Sequence, residues 1–308
     1  MYISYSAYKT FLDCRRQYDH KYVLKTKVPK AENRVHMLYG DAVGKIFETF
    51  YEDHLWQGDT LNRLLALVDP TLNRIIESET RKGGVFNWKD RSLKDDTRSL
   101  AVVRHEVILA IPRGLRSIRK HRLLGPEARA EVNLDVETGG HKIGGRCDFL
   151  IRRVKPQGDL VLIDGKGSRW RDKYTNHRQL RWYAMQHWMK FGVVPDQLGF
   201  LYWRFEPEAP KPDERSMDWS TVTVPELVDL KTEVLSVCDE IEKAKLELIK
   251  LGPKANRATV FWPKPSSDCR LCNYLTLCPE GERGLSKETK TAIEQSCEDG
   301  VEEGGISF

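Results

Sequence analysis

The sequence predicts an α/β fold, because its first part has the spacing of helices and its middle part has the spacing of strands. Before residue 125, apolar residues recur three and four positions apart, which is typical of helices with one buried face. After Gly125-Pro126, short apolar segments are separated by turn residues, which is typical of strands. At 308 residues, the chain is long enough for one large domain or two modest ones.

Composition limits the classes of function. Hydrophobic residues make up 40% and charged residues 31% of the chain, as in ordinary globular proteins. The mean hydropathy is -0.54, no apolar segment is long enough to span a bilayer, and residues 1–5 lack the regions of a signal peptide. We therefore expect a cytoplasmic location and no membrane partner. A net charge of +5 permits nucleic-acid binding without requiring it.

Apolar spacing predicts helices in the first part of the chain. Ser4 or Ser6 could act as the first N-cap, since serine accepts a hydrogen bond from a free helix N–H. The predicted helical regions are residues 1–25, 37–57 and 60–125, the last with a long stretch from Asp95 to Lys120.

Alternating patterns and turn residues predict strands after Pro126. Gly139-Gly140 is expected to form a hairpin turn, and the segment after residue 285 is expected to be disordered because it is polar. The predicted elements are strands 128–136, 141–151, Leu160–Asp164 and 198–205, and helices 176–191 and 224–251, with an irregular segment from residue 261.

Two acidic positions in this strand region indicate a metal centre. Asp148 ends one predicted strand and Asp164 ends the next, and neighbouring strands lie about 4.8 Å apart, so both carboxylates can reach one ion. Hard oxygen ligands suit Mg2+ or Mn2+, and the Gly165 carbonyl is a further candidate ligand. Lys166 lies two residues after Asp164, on the same face, where it can orient water and stabilise charge on a phosphate.

An Asp-Gly-Lys sequence also occurs in ordinary turns. Here it follows a buried strand, and Asp148 precedes it by about one hairpin. Gln179 and Tyr183 follow, one helical turn apart on one predicted face. These neighbours favour the metal centre over the turn.

This order of motifs resembles the PD-(D/E)XK nuclease superfamily, and within it the RecB-like and Cas4-like exonucleases. The resemblance implies a restriction-endonuclease-like core with a mixed central sheet flanked by helices. It implies catalytic roles for Asp148, Asp164 and Lys166, with Gln179 and Tyr183 contacting DNA and supporting the site. Glu131 matches an acidic position common in such proteins; an ordinary exposed strand residue is the alternative interpretation.

One position departs from the family pattern. Related proteins with an iron–sulfur cluster usually have a metal-binding histidine where this chain has Gly44. Glu48, one helical turn later, is the predicted substitute ligand, and Asp41 and His36 are weaker candidates. The departure indicates either altered metal ligation or a slow or inactive centre, and we expect altered ligation.

Four cysteines form a second pattern. Cys269, Cys272 and Cys278 lie within ten residues, and Cys14 lies 255 residues before them. Four thiolates can bind a [4Fe-4S] cluster or zinc. The arrangement closely resembles the iron–sulfur staple of Cas4-like and AddB-type nucleases, which implies a [4Fe-4S] cluster that joins the chain ends. A packed Cys14 beside an unrelated cysteine loop is the alternative.

These features predict a division of the chain and a set of DNA contacts. Basic and aromatic residues near the proposed centre suit a single strand, because charges follow phosphates and rings stack on bases. For Trp182 and Trp188 a place in the core is the stronger prediction. The candidates are Arg146, Lys166, Arg169, Trp170, Arg171, Lys173, Tyr174, Arg178 and Arg181. The predicted regions are N-terminal helices 1–57, a helical insertion 58–127, the nuclease core 128–255, the cysteine region 256–284 and the tail 285–308.

The resemblance implies a metal-dependent DNA exonuclease, acting on single strands or DNA ends in recombination, repair, phage replication or CRISPR adaptation. DNA, a helicase or a recombination or CRISPR adaptation protein, and a second copy of the chain are the expected partners. The alternative, favoured by Gly44, is a catalytically weak DNA-end-binding module of a larger complex. A zinc-stapled nucleic-acid-binding protein without cleavage is a third hypothesis.

Overall fold

The fold is seen in a computed structural model that describes residues 1–27, 33–81, 86–87, 99–153, 158–168, 171, 177–211, 214–266, 268–269 and 272–280. The chain divides into two compact units. The terminal unit consists of Met1, Ile3–Ala31 and Val234–Phe308. The central unit consists of Tyr2 and Glu32–Glu233.

The described part of the chain is rich in helices. A π-helix at Asp19–Val23 and a 3-10 helix at Leu275–Leu277 accompany the α-helices. The α-helices are α1 Tyr5–Asp13, α2 Arg15–Tyr18, α3 Val35–Glu52, α4 Thr60–Ala66, α5 Val68–Arg81, α6 Leu100–Lys120, α7 Arg178–Phe191, α8 Val224–Leu251 and α9 Arg257–Val260.

The strands build a mixed sheet in the central unit, as the fold class predicts. Its order is β10-β9-β8-β7-β4; β8 and β9 are parallel, and the other neighbours are antiparallel. The strands are β1 Tyr2–Ser4, β2 Asn33–Arg34, β3 Phe86–Asn87, β4 Arg129–Asn133, β5 Val136–Thr138, β6 His141–Gly144, β7 Arg146–Arg152, β8 Leu160–Lys166, β9 Gln197–Tyr202 and β10 Met217–Ser220.

The segments predicted as strands at 128–136 and 141–151 pair with each other as expected, but neither is a single unbroken strand. Gly139-Gly140 does form the turn, with φ values of 55° and 75°, but it joins only β5 to β6. The ladder is interrupted beside Gly145, whose N–H donates to the Asp135 carboxylate at 3.1 Å. Because that carboxylate takes the place of a ladder acceptor, each predicted strand is divided in two. The predicted pairing is kept, since β4 pairs with β7 in the register that β5 and β6 begin.

Three further strand expectations need correction. Asp148 lies inside β7 rather than at its end. Asp164 lies two residues before the end of β8, which continues to Lys166. β10 has no counterpart among the predicted strands, since its short sequence at 217–220 lacks a clear period-two pattern.

The two faces of the central sheet carry different helices. Phe149, Ile151 and Ile163 belong to the same buried core as residues of α3 and α6. Side chains alternate along a strand, so Asp148 and Asp164 lie on the opposite face. Helix α7 contacts β8 and β9 and, as shown below, hydrogen-bonds to that face.

The predicted helix over residues 1–25 is interrupted at Cys14, which has an extended backbone with φ of -160° and ψ of 110°. Ser4 is the observed N-cap, since its hydroxyl accepts from the N–H of Ala7 at 3.3 Å. After the interruption, fully buried Asp19 accepts hydrogen bonds from Arg257 Nε and Arg16 Nη1, each at 2.9 Å. The terminal unit is therefore held partly by an ionic contact between distant segments.

The predicted helical region at 60–125 contains α4, α5 and α6. Ser99 caps α6 by accepting from the N–H of Val102 at 3.4 Å, so the described helix starts later than the predicted Asp95. In the described part of the chain, no helix combines the length and the apolar character needed to cross a membrane. The predicted disordered tail at 285–308 lies outside the described residues.

Candidate active site and cysteine cavity

Asp148 and Asp164 face each other on neighbouring strands. β7 and β8 are antiparallel with Phe149 opposite Ile163, so one further step in the register places Asp148 opposite Asp164. The N–H of Gly165 donates to Asp148 Oδ2 at 2.7 Å. Backbone register and a backbone hydrogen bond thus position the first two predicted metal ligands.

Gln179 links the other predicted catalytic groups. Lys166 Nζ forms an ion pair with Asp164 Oδ2 and donates to Gln179 Oε1 at 3.0 Å. Gln179 Nε2 donates to Asp164 Oδ1 at 3.2 Å and to the Tyr183 hydroxyl at 2.9 Å. One amide on α7 therefore orients a carboxylate and an ammonium group of β8 together.

Burial raises the pKa of both aspartates. For Asp164, which is 3% exposed, burial raises the pKa although Lys166 lowers it. For Asp148, burial raises the pKa and the charge of Asp164 raises it further. Two buried carboxylates repel each other, and a bound divalent cation would relieve that repulsion. The donor set therefore fits a hard divalent ion.

Two glutamates extend this acidic group. Glu131 of β4 lies opposite Asp148 in the strand register, and its charge contributes to the raised pKa of Asp148 after burial and Asp164. Burial raises the pKa of Glu131, and the charge of Glu48 on α3 adds to this, although Arg146 opposes it. Glu131 pairs with Arg146 at 2.6 Å. Glu131 therefore lies within electrostatic reach of Asp148, and Glu48 lies within electrostatic reach of Glu131.

Glu131 has an unusual backbone conformation. Its φ is 49°, in the left-handed region that non-glycine residues seldom adopt. On either side of it the ladder is regular, with Ala130 opposite Phe149 and Val132 opposite Cys147. Strain of this kind costs about 1–3 kcal/mol and is concentrated at functional sites, which favours a role for Glu131 over that of an ordinary strand residue.

Gly44, at the position where the resemblance implies a histidine, has open space beside it. A Cβ atom at this position of α3 would meet nothing within 4 Å. Among the weaker candidates, Asp41 has a pKa raised by burial and then by Glu79, with no contribution from the aspartates of the site. The side chain of His36 lies outside the described residues. Glu48, whose charge acts on Glu131, stays the predicted substitute ligand on this helix.

Gly165 has a packing role as well as its place in the motif. A Cβ atom there would lie 2.8 Å from the Trp203 ring. That ring stacks on Phe47 of α3 with 4.4 Å between centroids. Glycine is thus required for α3 to pack closely on β8, while the predicted role of its carbonyl as a metal ligand stays a prediction.

Sequence reasoning missed an aromatic neighbour of the site. Lys166 Nζ lies 5.0 Å from the centroid of the Phe200 ring, and Phe200 is opposite Asp164 in the parallel register. The His177 ring stacks on Phe200 and contacts Asp218 Oδ2 at 3.1 Å. Aligning the alternation of the predicted strand at 198–205 with Asp164 would have indicated Phe200.

The predicted DNA-contacting residues have different surroundings. Trp182 is fully buried and donates to the Gly144 carbonyl at 3.3 Å, which agrees with a place in the core, and Trp188 is partly buried. Arg178 pairs with Glu233 and Arg181 with Glu226. The candidates Arg169, Trp170, Lys173 and Tyr174 lie outside the described residues.

In the terminal unit, the four predicted cluster ligands line one cavity: Cys14, Cys269, Cys272 and Cys278. Burial raises the pKa of the Cys272 thiol, and the charges of the other three thiols raise it further. Four cysteine sulfurs that line one cavity are a donor set for a zinc ion or an iron–sulfur cluster. This arrangement is not that of a packed Cys14 beside an unrelated loop, and its donor set fits a tetrathiolate metal group.

Comparison with known proteins gives an independent result. The profile of the PD-(D/E)XK nuclease superfamily matches residues 2–279. A crystal structure of a candidate exonuclease from Eubacterium rectale is 14% identical with a TM-score of 0.45, covering 79% of this chain and 80% of that chain. The crystal structure of the protein SSO0001 is 16% identical with a TM-score of 0.32, covering 91% of this chain and 96% of that chain. No curated protein matches.

The mixed sheet flanked by helices, with facing aspartates beside a lysine, is the arrangement that a metal-dependent nuclease of this superfamily would use. The family match covers most of the sequence. The chain therefore belongs to the PD-(D/E)XK nuclease superfamily.

Proposed function

We propose that the protein is a DNA exonuclease of the RecB-like and Cas4-like type, acting on single strands or DNA ends. The observation that carries this proposal is the contact of Lys166 with both Asp164 and Gln179, beside Asp148. Recombination, repair, phage replication and CRISPR adaptation are the pathways in which such an activity would serve, with a helicase or recombination protein as partner.

Asp148, Asp164, Glu48 and the Gly165 carbonyl are the groups that would hold Mg2+ or Mn2+. When bound, such an ion activates water and neutralises charge on the phosphate. Glu131, held in a strained conformation beside Asp148, would adjust the charge around these ligands.

The other polar groups would act on the substrate directly. Lys166 would stabilise the negative charge that develops on the phosphate, because its ammonium group is held in place by two hydrogen-bonding partners. Gln179 would keep Lys166 and Asp164 in register. Tyr183 would support Gln179 through their hydrogen bond.

The four cysteines would hold a [4Fe-4S] cluster of the Cas4-like and AddB-type arrangement. The cluster would be structural, because it would link segments 255 residues apart and so restrict the unfolded chain. Only one Cys-x-x-Cys pair is present, whereas zinc ribbons usually have two.

Gly44 favours a second candidate function, a catalytically weak DNA-end-binding module of a larger complex. The site would then bind metal and DNA without efficient cleavage, because one customary ligand is missing. The two functions predict different outcomes in one assay.

The test uses anaerobically purified protein with Mg2+ or Mn2+ on linear single-stranded and double-stranded DNA, labelled at either end, and on circular DNA. We expect metal-dependent release of nucleotides from linear DNA only. Lys166→Ala should lower the rate by at least about 100-fold, the loss typical when one charge-stabilising donor is removed.

Lys142→Ala is the matched control, since Lys142 is half-exposed in the β5–β6 hairpin and pairs with Asp135. Tight DNA binding without cleavage in either metal would favour the end-binding module. Cleavage of circular DNA would show an endonuclease instead of an exonuclease.

A further inference from the structure

A histidine with a buried ring nitrogen lines the cavity of the four cysteines. His20, in the π-helix that follows α2, lines the same cavity as Cys14, Cys269, Cys272 and Cys278. His20 is only 6% exposed, and its Nε2 has no hydrogen-bond partner among the described residues. A buried polar atom left unpaired costs about 1–3 kcal/mol, so a partner outside the described protein atoms would account for it.

The rest of the ring is fixed by neighbouring groups. His20 Nδ1 lies 3.1 Å from Thr26 Oγ1. The N–H of Thr26 donates to the His20 carbonyl at 2.9 Å. The ring stacks on Tyr274 with 5.2 Å between centroids and 13° between planes. Tyr274 lies between Cys272 and Cys278 in the sequence, so the imidazole is held against the cysteine segment itself.

We propose that His20 donates a hydrogen bond from Nε2–H to a sulfur atom of the iron–sulfur cluster and raises its reduction potential. The inference rests on the proposed cluster. Four thiolates complete the usual ligand set of such a cluster, so within the cluster the atoms that can accept a hydrogen bond from Nε2 are sulfurs. The Thr26 hydroxyl then donates to Nδ1, which selects the tautomer with a proton on Nε2.

The direction of the effect follows from charge. Reduction adds one negative charge to the cluster, and a hydrogen-bond donor stabilises the more negative state. Hydrogen bonds to cluster sulfurs are a known means by which proteins adjust the potential. Removing the donor should therefore make the cluster harder to reduce without removing any ligand.

The experiment compares the full-length protein with His20→Phe and His20→Gln, all purified without oxygen. Iron and sulfide content are measured first, and the potential is then titrated by visible absorbance and electron paramagnetic resonance. His20→Phe keeps a ring to stack on Tyr274 but lacks the nitrogen. At a fixed ambient potential it should lower the ratio of reduced to oxidised cluster about tenfold, equivalent to about 59 mV for a one-electron couple. His20→Gln, which retains an N–H donor, should recover part of the difference.

His121→Phe is the matched control. The Nε2 of His121 also lacks a hydrogen-bond partner among the described residues, but His121 belongs to the central unit and is not among the residues lining this cavity. The His121→Phe substitution should therefore leave the reduction potential of the cluster unchanged.

The outcomes separate the inference from the function it rests on. Equal potentials in wild type and His20→Phe, with iron present in both, would overturn the hydrogen bond and leave the cluster intact. Loss of iron from a folded His20→Phe protein would also overturn it, because His20 would then be a ligand. Absence of iron from the wild type would remove the cluster and this inference together, while DNA cleavage by the same preparation would report on the nuclease separately.

Discussion

The two units gather their functional groups by different means. In the central unit, facing aspartates are set by strand register, and one of them is fixed by a backbone N–H. In the terminal unit, Cys14 meets cysteines that lie 255 residues later in the chain. The central site is thus organised by the sheet, whereas the cysteine site joins segments that the unfolded chain keeps far apart.

The difference teaches what a metal group would contribute in each unit. A cation in the central site would relieve repulsion in a fold that is already formed, so its loss should change chemistry more than folding. A cluster in the terminal unit would act as a cross-link, so its loss should change folding more than local chemistry. Substitutions in the two units can test this contrast.

Cys14→Ser should have the largest effect on stability. In the chain-entropy model, a cross-link closing a loop of this length stabilises the fold by about 5 kcal/mol, and losing one ligand removes it. We expect loss of iron, measured by visible absorbance, and a clear fall in the temperature midpoint of unfolding, measured by calorimetry. Cys238→Ala, at a buried thiol of the same unit, is the control; an unchanged midpoint and colour in Cys14→Ser would contradict the cross-link.

Asp19→Asn should have the next largest effect, without changing iron content. Asp19 is fully buried against Arg16 and Arg257, and breaking a buried ion pair by removing one partner costs about 3 kcal/mol. Denaturant unfolding measures the loss. Asp13→Asn should change little, because its pair with Lys9 is exposed. Loss of iron from folded Asp19→Asn would mean that the ion pair and the cysteine site are not separate supports.

Asp148→Asn should stabilise the metal-free protein while lowering cleavage. Because burial and Asp164 raise the pKa of Asp148, the folded state holds its proton more tightly than the unfolded state. The stability from this proton is complete below the ordinary pKa of about 4 and is lost as pH rises through the raised value. At pH 8 we expect a gain of at least about 1 kcal/mol in the free energy of unfolding.

Asp135→Asn provides a control of opposite sign. Burial alone would raise the pKa of Asp135, but the N–H of Gly145 and the charge of Lys142 together lower it. The ionised form of Asp135 therefore stabilises the fold at neutral pH, so Asp135→Asn should lower the free energy of unfolding. Added Mn2+ should stabilise wild type more than Asp148→Asn; equal stabilisation would show that Asp148 does not bind the ion.

The sequence was sufficient to predict which site residues share one face when those residues are close together in the chain. Asp164 and Lys166 lie two residues apart on a strand, and Gln179 and Tyr183 lie one turn apart on a helix, so period alone places each pair on one face. The structure brings these residues together, although their roles stay predictions. The sheet was predictable as a class from the alternation of strands and helices.

The remaining features depend on tertiary contacts that no local pattern contains. Glu131 and Glu48 approach each other across elements that are far apart in sequence, and the strained φ of Glu131 has no sequence signal. The break beside Gly145 depends on one side chain, Asp135, replacing a ladder partner. His20 could not be identified from the sequence, because only folding brings it to a cavity lined by cysteines from the other end of the chain.

Gly44→Ala should have the smallest effect, and its sign distinguishes two reasons for a helical glycine. Glycine inside a helix is less stable than alanine by roughly 0.5–1 kcal/mol, and a Cβ atom at Gly44 would meet nothing. We therefore expect a gain of that size in the free energy of unfolding.

Gly114→Ala is the contrasting variant, because its Cβ would lie 2.4 Å from the Phe47 ring and overpacking costs about 1–3 kcal/mol. Opposite signs would show that packing requires Gly114 but not Gly44; a loss in both would mean that α3 cannot accept a side chain at position 44.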